Sequence, residues 1–412
     1  MHAVEKILAR ASGNDEVSAS NIVTANVDFV EVNDLYLQVI KSFYEMNGYK
    51  VWNPDKVSFV FDHYSPSPTI KAADNHKKMR EFCRKQGIKN LFDINEGVCH
   101  QVLPEAGLVF PGMILVATDS HTTTHGAFGA FGTGVGATDL ATILISGKLW
   151  LKVPEVIKIE INGKLKSGVM AKDIILHILG DLGQSAAVYK AIEFTGSVIE
   201  ELPVDERMAL CNMTVEMGAK TSYIQPDDIT LNYLKQRVKR DYTIPETDKN
   251  YKFANNYNYD ISNLEPVAAK PHSIDNVDYV KNIEDVKVDQ VFIGTCTGGR
   301  VNDISVAANI LSGKKISENV RLIVIPASKE VYKKSIEKGY IQSLIESGAT
   351  ISAPGCGPCL GAHQGVIAAG ETCVTTSSRN FPGRMGSTEA NIYSASPYVA
   401  AYSALRGKLA YK

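Results

Sequence analysis

Short apolar runs alternate with longer amphipathic segments along almost the whole chain. Runs rich in Val and Ile predict strands at 57–61, 113–118, 156–161, 290–294 and 320–326. Helical spacing marks 69–86, where Ile70, Ala73, His76 and Met79 recur every third residue. It also marks 171–182, 303–311 and 329–347, the last with Gly348 placed as a C-cap. Strand–helix alternation of this kind builds βαβ units, so the fold class is α/β, with largely parallel sheets. The stretch 162–167 reads as a turn into a new unit. Residues 240–289 are rich in Tyr, Asn, Asp and Lys, carry Pro245, Pro266 and Pro271, and show no period. A loop of that length is expected to be an extended connection draped over the surface between domains. The expected partition is three α/β domains at 1–160, 161–275 and 276–412.

Composition narrows the function classes. The chain has 412 residues, 44% hydrophobic and 21% charged, which is ordinary for a globular protein and excludes disordered, collagenous and disulfide-scaffold classes. With 43 basic and 45 acidic residues the net charge is −2, so a broad basic field for nucleic acid is absent. No apolar run approaches the roughly 18–20 residues that span a bilayer. The start lacks an apolar signal core and the end lacks an anchor signal, so a cytoplasmic location with reduced cysteines is expected, without membrane association. Clustered cysteines are then ligands or reagents.

Four cysteines, Cys83, Cys99, Cys211 and Cys373, stand alone and read as small hydrophobes or inert thiols. The other three differ. Cys356 and Cys359 sit in Ala353-Pro-Gly-Cys-Gly-Pro-Cys-Leu-Gly361, and Cys296 follows a strand in Ile293-Gly-Thr-Cys-Thr-Gly-Gly-Arg300. Gly and Pro keep the surroundings of a thiolate small, and the non-proline residues offer backbone N–H donors to sulfur. The pair Cys356/Cys359 alone supports a thioredoxin-like redox site, although the usual Trp before and basic residue after are missing. With Cys296 and His363 it supports a Cys3His zinc site. With Cys296 alone it supports an iron–sulfur cube that leaves one iron open as a Lewis acid. A purely structural CxxC is common, so the pair by itself decides nothing.

Other chemistry-bearing residues cluster at strand ends. Asp62-His63 follows one strand and Asp119-Ser-His121 another, where α/β proteins place their chemistry. His100 lies in Gly97-Val-Cys-His-Gln-Val102. Glu216 stands four residues after Asn212, on one helix face if that stretch is helical. Arg379 and Arg384 flank Asn-Phe-Pro-Gly. Asp beside His fixes a tautomer and raises the imidazole pKa, which makes a proton donor; spaced arginines clamp carboxylates. Gly132, Gly134 and Ala137 fit GxGxxG/A, but no strand directly precedes them in this reading and Lys152 occupies the expected acidic position. The run is expected to be tight helix–sheet packing behind Asp119, with a nucleotide-dependent oxidoreductase as a lesser alternative.

Phe61-Asp-His63, Gly97-Val-Cys-His-Gln101, Ala117-Thr-Asp-Ser-His-Thr122, Gly294-Thr-Cys-Thr297, Cys356-Gly-Pro-Cys359 and Arg379-Asn-Phe-Pro-Gly-Arg384 together resemble the aconitase superfamily. More narrowly, they resemble its 3-isopropylmalate dehydratase and homoaconitase-like large subunits, over nearly the full chain. The resemblance implies three α/β domains around a central site, with one [4Fe-4S] cluster on Cys296, Cys356 and Cys359. It implies that Asp62 and His63 protonate the departing hydroxyl. His100 with Asp119, and His121 with Glu216, would form further catalytic pairs, and Ser120, Arg379 and Arg384 would bind substrate. It also implies a hydro-lyase of the 3-isopropylmalate dehydratase type, acting in leucine biosynthesis. The base, a serine alkoxide in this family, would come from a separate small swivelling subunit in a heterodimer or heterotetramer, because the chain stops at Lys412 without a further α/β unit. Gly298 and Ser378 stand where the family usually carries Asn, and Val32-Asn-Asp-Leu-Tyr-Leu37 lacks the usual His-Asp-x-Thr. Homoaconitase and a dehydratase of 2,3-dimethylmalate therefore stay open as substrate readings. Outside catalysis, a zinc or redox CxxC protein and a cluster-bearing regulator are the rivals.

Overall fold

Val and Phe pack best on a pleated, buried surface, and in the computed structural model the run 57–61 forms the wholly buried strand Val57–Val60. The structure describes residues 1–283 and 285–412. Around that strand lies a five-stranded parallel sheet in the order Asn90–Phe92, Val57–Val60, Phe29–Asn33, Ile114–Ala117, Phe131–Gly134. A second parallel sheet runs Thr221–Tyr223, Ala191–Thr195, Val156–Asn162, Asn255–Asp260. The third has seven strands: Val277–Tyr279, Val267–Ala269, Asn391–Ala395, Thr372–Thr375, Gln290–Ile293, Arg321–Val324 and Thr350–Ile351. Its last five strands are parallel, and Val267–Ala269 pairs antiparallel on both sides. The chain is α/β with largely parallel sheets.

Helix starts follow their capping signals. Thr69 accepts a hydrogen bond from the Ala72 N–H and opens Ile70–Gln86, and Gly87 closes it in the left-handed conformation. The expected helix over 329–347 is instead two helices, Lys329–Glu337 and Tyr340–Ser347. Gly339 breaks it with φ at 76°, while Val331 and Leu344 still enter the same apolar core, which is why the spacing carried across the break. Gly348 is the C-cap, as expected.

The stretch 240–289 corrects the reading of an extended surface connection. Asn255–Asp260 adds a parallel strand beside Val156–Asn162, and Val267–Ala269 joins the third sheet at Asn391–Ala395. The first is too polar and the second, at three residues, too short to stand out as a strand. The apolar cores follow the sheets. Leu115 and Ala117 share one core with Ile159 and Phe194 of the second sheet, while Val291, Leu322 and Val374 form the core of the third. Among the described residues no helix is long and apolar enough to cross a membrane.

Candidate active site

Open parallel sheets place ligands at the carboxyl ends of strands where the strand order reverses. In the first sheet that reversal lies between Phe29–Asn33 and Ile114–Ala117, in the third between Gln290–Ile293 and Thr372–Thr375. Asp34 and Asp119 follow the first pair of strands; Cys296 and Arg379 follow the second. These ends face a cleft of about 430 Å³ lined by His63, Asp119, Ser120, His121, Arg379 and Arg384.

The His–carboxylate partners meet as side chains. His63 Nδ1 pairs with Asp62 Oδ1 at 2.6 Å, His100 Nε2 with Asp119 Oδ1 at 3.1 Å, and His121 Nε2 with Glu216 Oε1 at 2.8 Å. The His121 N–H also donates to Asp119 at 2.7 Å, and His63 Nε2 lies 3.6 Å from Asp119 Oδ2. Arg379 donates through Nε to Glu216 at 2.8 Å and through Nη2 to Ser120 at 3.1 Å. Burial works against charge on His63, yet Cys356, Asp62 and Asp34 hold its pKa well above the ordinary imidazole value. Burial likewise opposes charge on Asp119, but His100 and His121 keep its carboxyl well below the usual range. An imidazole that favours its proton beside a carboxylate that favours its charge is a set suited to delivering a proton.

Asn212 and Glu216 do not share a helix face. The helix Val204–Met213 gives way to the 3₁₀ turn Thr214–Met217, so Asn212 turns to Thr124 Oγ1 at 2.7 Å while Glu216 reaches His121 and Arg379, which line the cleft. The glycine run also differs in detail. A strand, Phe131–Gly134, does precede the helix Ala137–Ser146, but its glycine spaces are filled by protein. A Cβ at Gly132 would lie 2.2 Å from the Thr122 carbonyl oxygen, and one at Gly134 would lie 2.6 Å from that of Asp119. This is close packing behind Asp119 and leaves no cradle for phosphates.

Cys296, Cys356 and Cys359 are free and 7–9% exposed; Cys356 Sγ lies within 4.8 Å of His63 and Cys359 Sγ 3.6 Å from Arg384, and both of those residues line the cleft. Thr295, a β-branched residue at φ 72°, precedes Cys296 in a strained turn, and its Oγ1 accepts the Thr297 N–H at 3.2 Å. The Cys356 N–H donates to the Asp62 carbonyl at 2.8 Å, which ties the cysteine loop to the first sheet. A redox pair is disfavoured, because burial holds the first thiol, Cys356, well above its ordinary pKa whereas redox thiols are activated and accessible. A single zinc with Zn–S of about 2.3 Å holds its sulfurs about 3.8 Å apart. The three cysteines are not among the donor sets that close to within 4.8 Å among the described residues, and His363 Nε2 is engaged by the Pro66 carbonyl at 2.6 Å. The Cys3His zinc reading therefore lacks its sulfur geometry, although His363 keeps a buried Nδ1 without a partner. Three buried sulfurs that do not all close to within 4.8 Å suit a larger inorganic cluster better than one ion, and the Arg384 guanidinium lies 3.6 Å from Cys359 Sγ. Burial pushes the Cys359 thiol up, but Arg384, Ser377 and His121 bring it below its ordinary value.

Several site residues escaped sequence reasoning. Asp34 accepts the N–H groups of His63 and Tyr64 at 3.0 and 2.8 Å and pairs with His76 at 2.9 Å, so it fixes the Asp62-His63 turn. Its position directly after a strand was the available signal. Glu31 is fully buried without a partner, and burial with Asp62 and Asp119 nearby holds its carboxyl well above the ordinary value. Leu35, Val135, Val215 and Leu360 add an apolar wall to the cleft, and Lys220 a cation. Nothing in spacing marked these.

The chain matches the Aconitase family (aconitate hydratase) over residues 5–282 and 273–407. It is 50% identical over 406 residues to a 3-isopropylmalate dehydratase large subunit of Methanopyrus kandleri, covering 98% of this chain and 97% of that one. It is 47% identical to another of that description from Pyrococcus abyssi, covering 100% and 98%. A probable methanogen homoaconitase large subunit of Methanothermobacter thermautotrophicus is 45% identical, covering 99% and 96%. Among solved structures, aconitase X of Thermococcus kodakaraensis in its holo form shares the fold, with a TM-score of 0.52 at 15% identity over 92% of this chain and 89% of that one.

Proposed function

The chain belongs to the aconitase family, and on that premise we propose that it is the large subunit of a hydro-lyase that isomerises a 2-hydroxy diacid by dehydration and rehydration. The reaction to test first converts 2-isopropylmalate to 3-isopropylmalate. The observation that carries this is the convergence of three His–carboxylate pairs and two arginines on one cleft beside three buried cysteines.

Cys296, Cys356 and Cys359 would hold a [4Fe-4S] cluster, which when bound supplies a Lewis acid through the iron without a thiolate. The remaining roles belong to the chain. His63, oriented by Asp62, delivers the proton that the departing hydroxyl needs. Asp119 keeps His100 and His121 aligned around the oxygen being lost or gained. Arg379 and Arg384 hold substrate carboxylates, and Ser120 steadies Arg379. Removing a proton next to a carboxylate builds negative charge, and two guanidinium groups concentrate positive charge where it appears. A separate small subunit supplies the base and closes the cleft; the phrase "large subunit" in the names of the relatives supports that division. The three sheets are read as three domains, with the boundaries expected at 160 and 275 moved ahead of Val156 and Val267, since Val156–Asn162 belongs to the second sheet and Val267–Ala269 to the third; seven free cysteines suit a reducing cytoplasm.

The apolar wall of Leu35, Val135, Val215 and Leu360 favours an alkyl-substituted malate. A homoaconitase reading draws on Lys220, which would take a third carboxylate at the same cleft. The test is anaerobic reconstitution with the small subunit of the same organism, followed by a panel of 2-isopropylmalate, 2,3-dimethylmalate and homoaconitate. Turnover of isopropylmalate is the expected result, and failure of every substrate contradicts the assignment.

A further inference from the structure

Two buried cations lie beside the loop of Cys296, and among the described residues no carboxylate touches either charged group; Asp205, Glu206 and Asp303 feel the charge of Arg300 only at longer range. Lys172, on the helix Ala171–Leu182, is 1% exposed, and its Nζ donates only to neutral oxygens: Ser377 O at 2.9 Å, Thr376 O at 3.2 Å and Thr297 Oγ1 at 3.5 Å. Those atoms belong to the two loops at the strand-order reversal of the third sheet, one carrying Cys296 and the other leading to Arg379. Arg300, four residues after Cys296, is 0% exposed. Its Nε donates to Gln101 Oε1 at 2.9 Å, and both terminal nitrogens have no partner. Among the described residues no carboxylate oxygen comes within 4.0 Å of either cationic group, although the structure pairs many exposed lysines and arginines. An isolated buried ammonium or guanidinium is costly unless an anion answers it. Burial pushes the Lys172 ammonium toward losing its proton; Cys296 and Cys359, once ionised, would oppose that, and Arg300 in turn favours ionised Cys296. As free thiols these sulfurs are neutral; metal binding takes their protons and makes them anionic.

We propose that Lys172 and Arg300 are the buried counter-charges of the metal cluster, positioning residues whose missing anion is the thiolate-bound cluster itself. This rests on the reading that Cys296, Cys356 and Cys359 hold an iron–sulfur cluster, and goes beyond it by assigning two residues that contact no substrate. The charge also sets the redox poise of the site: a fixed cation next to a cluster favours its more reduced, more negative form. Each residue links separate parts of the chain, Lys172 the second-sheet helix to the third-sheet loops, Arg300 the third sheet to the helix Cys99–Glu105.

The test compares reconstituted wild type, Lys172→Met, Lys172→Arg and Arg300→Met by redox titration followed by electron paramagnetic resonance, and by melting temperature with and without the cluster. Expected is a lower midpoint potential in K172M and R300M, faster iron loss in air, and a smaller gain in melting temperature on cluster loading. K172R should keep the wild-type potential. The apoproteins of K172M and R300M should melt no lower than wild-type apoprotein, because they have lost an unanswered charge. Unchanged potentials overturn the proposal. So does a K172M or R300M chain that fails to fold as apoprotein, since the fold rather than the cluster then needs the charge. A wild type that takes up no iron–sulfur cluster instead removes the reading beneath it.

Discussion

Glu216 is the residue on which two charges of the cleft depend at once. Its Oε1 accepts from His121 Nε2 and Arg379 Nε, each at 2.8 Å. Burial opposes its ionisation, but His121 and Arg379 bring its carboxyl below the ordinary value. Glu216→Gln keeps the shape and removes the charge, which leaves Arg379 without its carboxylate and His121 with Asp119 alone. The expected outcome is a fall in kcat/KM of about 10²–10³-fold for the reconstituted two-subunit enzyme, with folding intact by circular dichroism; activity within a few-fold of wild type would deny Glu216 its place. At this scale the sequence was informative wherever chemistry sits in short motifs, as with Asp62-His63 and Cys356-Gly-Pro-Cys359. It was silent on Lys172, Glu31 and Arg300, because their meaning comes from burial without partners, and burial of a polar side chain leaves no trace in spacing.

At the scale of elements, the loop between the strand Gln290–Ile293 and the helix Val301–Leu311 shows why position 298 is glycine. A Cβ there would lie 2.2 Å from the Thr376 Cβ, and Thr376 Oγ1 is bound to both the N–H and the carbonyl of Gly294 at 2.9 Å. The two loops at this sheet end have been fitted to each other. Gly298→Ala is expected to destabilise the protein by about 1–3 kcal/mol, read by thermal unfolding, and Thr376→Gly in the same chain should recover part of the G298A loss. If G298A melts like wild type, the close approach is not a constraint. Long strands and capped helices were legible: Ile70–Gln86 carries its cap and its period in the sequence. The break at Gly339 was not, since one glycine inside a helical pattern does not announce a left-handed turn. Nor were Asn255–Asp260 and Val267–Ala269, whose strand character comes from the edges they join.

Across the whole molecule, Glu105 ties the first sheet's layer to the last. It ends the helix Cys99–Glu105, and its Oε1 accepts from Ser328 Oγ at 2.9 Å and from Gln101 Nε2 at 2.7 Å. Burial raises its pKa to about 7, despite those donors. The folded form therefore favours the protonated acid more than the unfolded chain does. That contribution to stability is complete below the ordinary carboxyl range and is lost as pH rises through about 7. Glu105→Gln mimics the protonated acid, so the wild-type melting temperature should fall relative to E105Q between about pH 5 and 8; parallel curves would show that Glu105 does not titrate there. The overall architecture was readable because strand–helix alternation fixes α/β topology, and topology brings strand ends together. The meeting of the sheets was not, as no local pattern records which buried atoms face across them.

What Cys296, Cys356 and Cys359 hold decides the chemistry of the cleft. Anaerobic reconstitution of the full chain with iron and sulfide, followed by metal and acid-labile sulfide analysis and visible absorbance, measures this in wild type and in Cys296→Ser. The expected result is about four irons and four sulfides per wild-type chain, with a brown absorbance that C296S loses. A colourless wild-type chain that holds zinc, or a C296S chain that keeps the full absorbance, would contradict it.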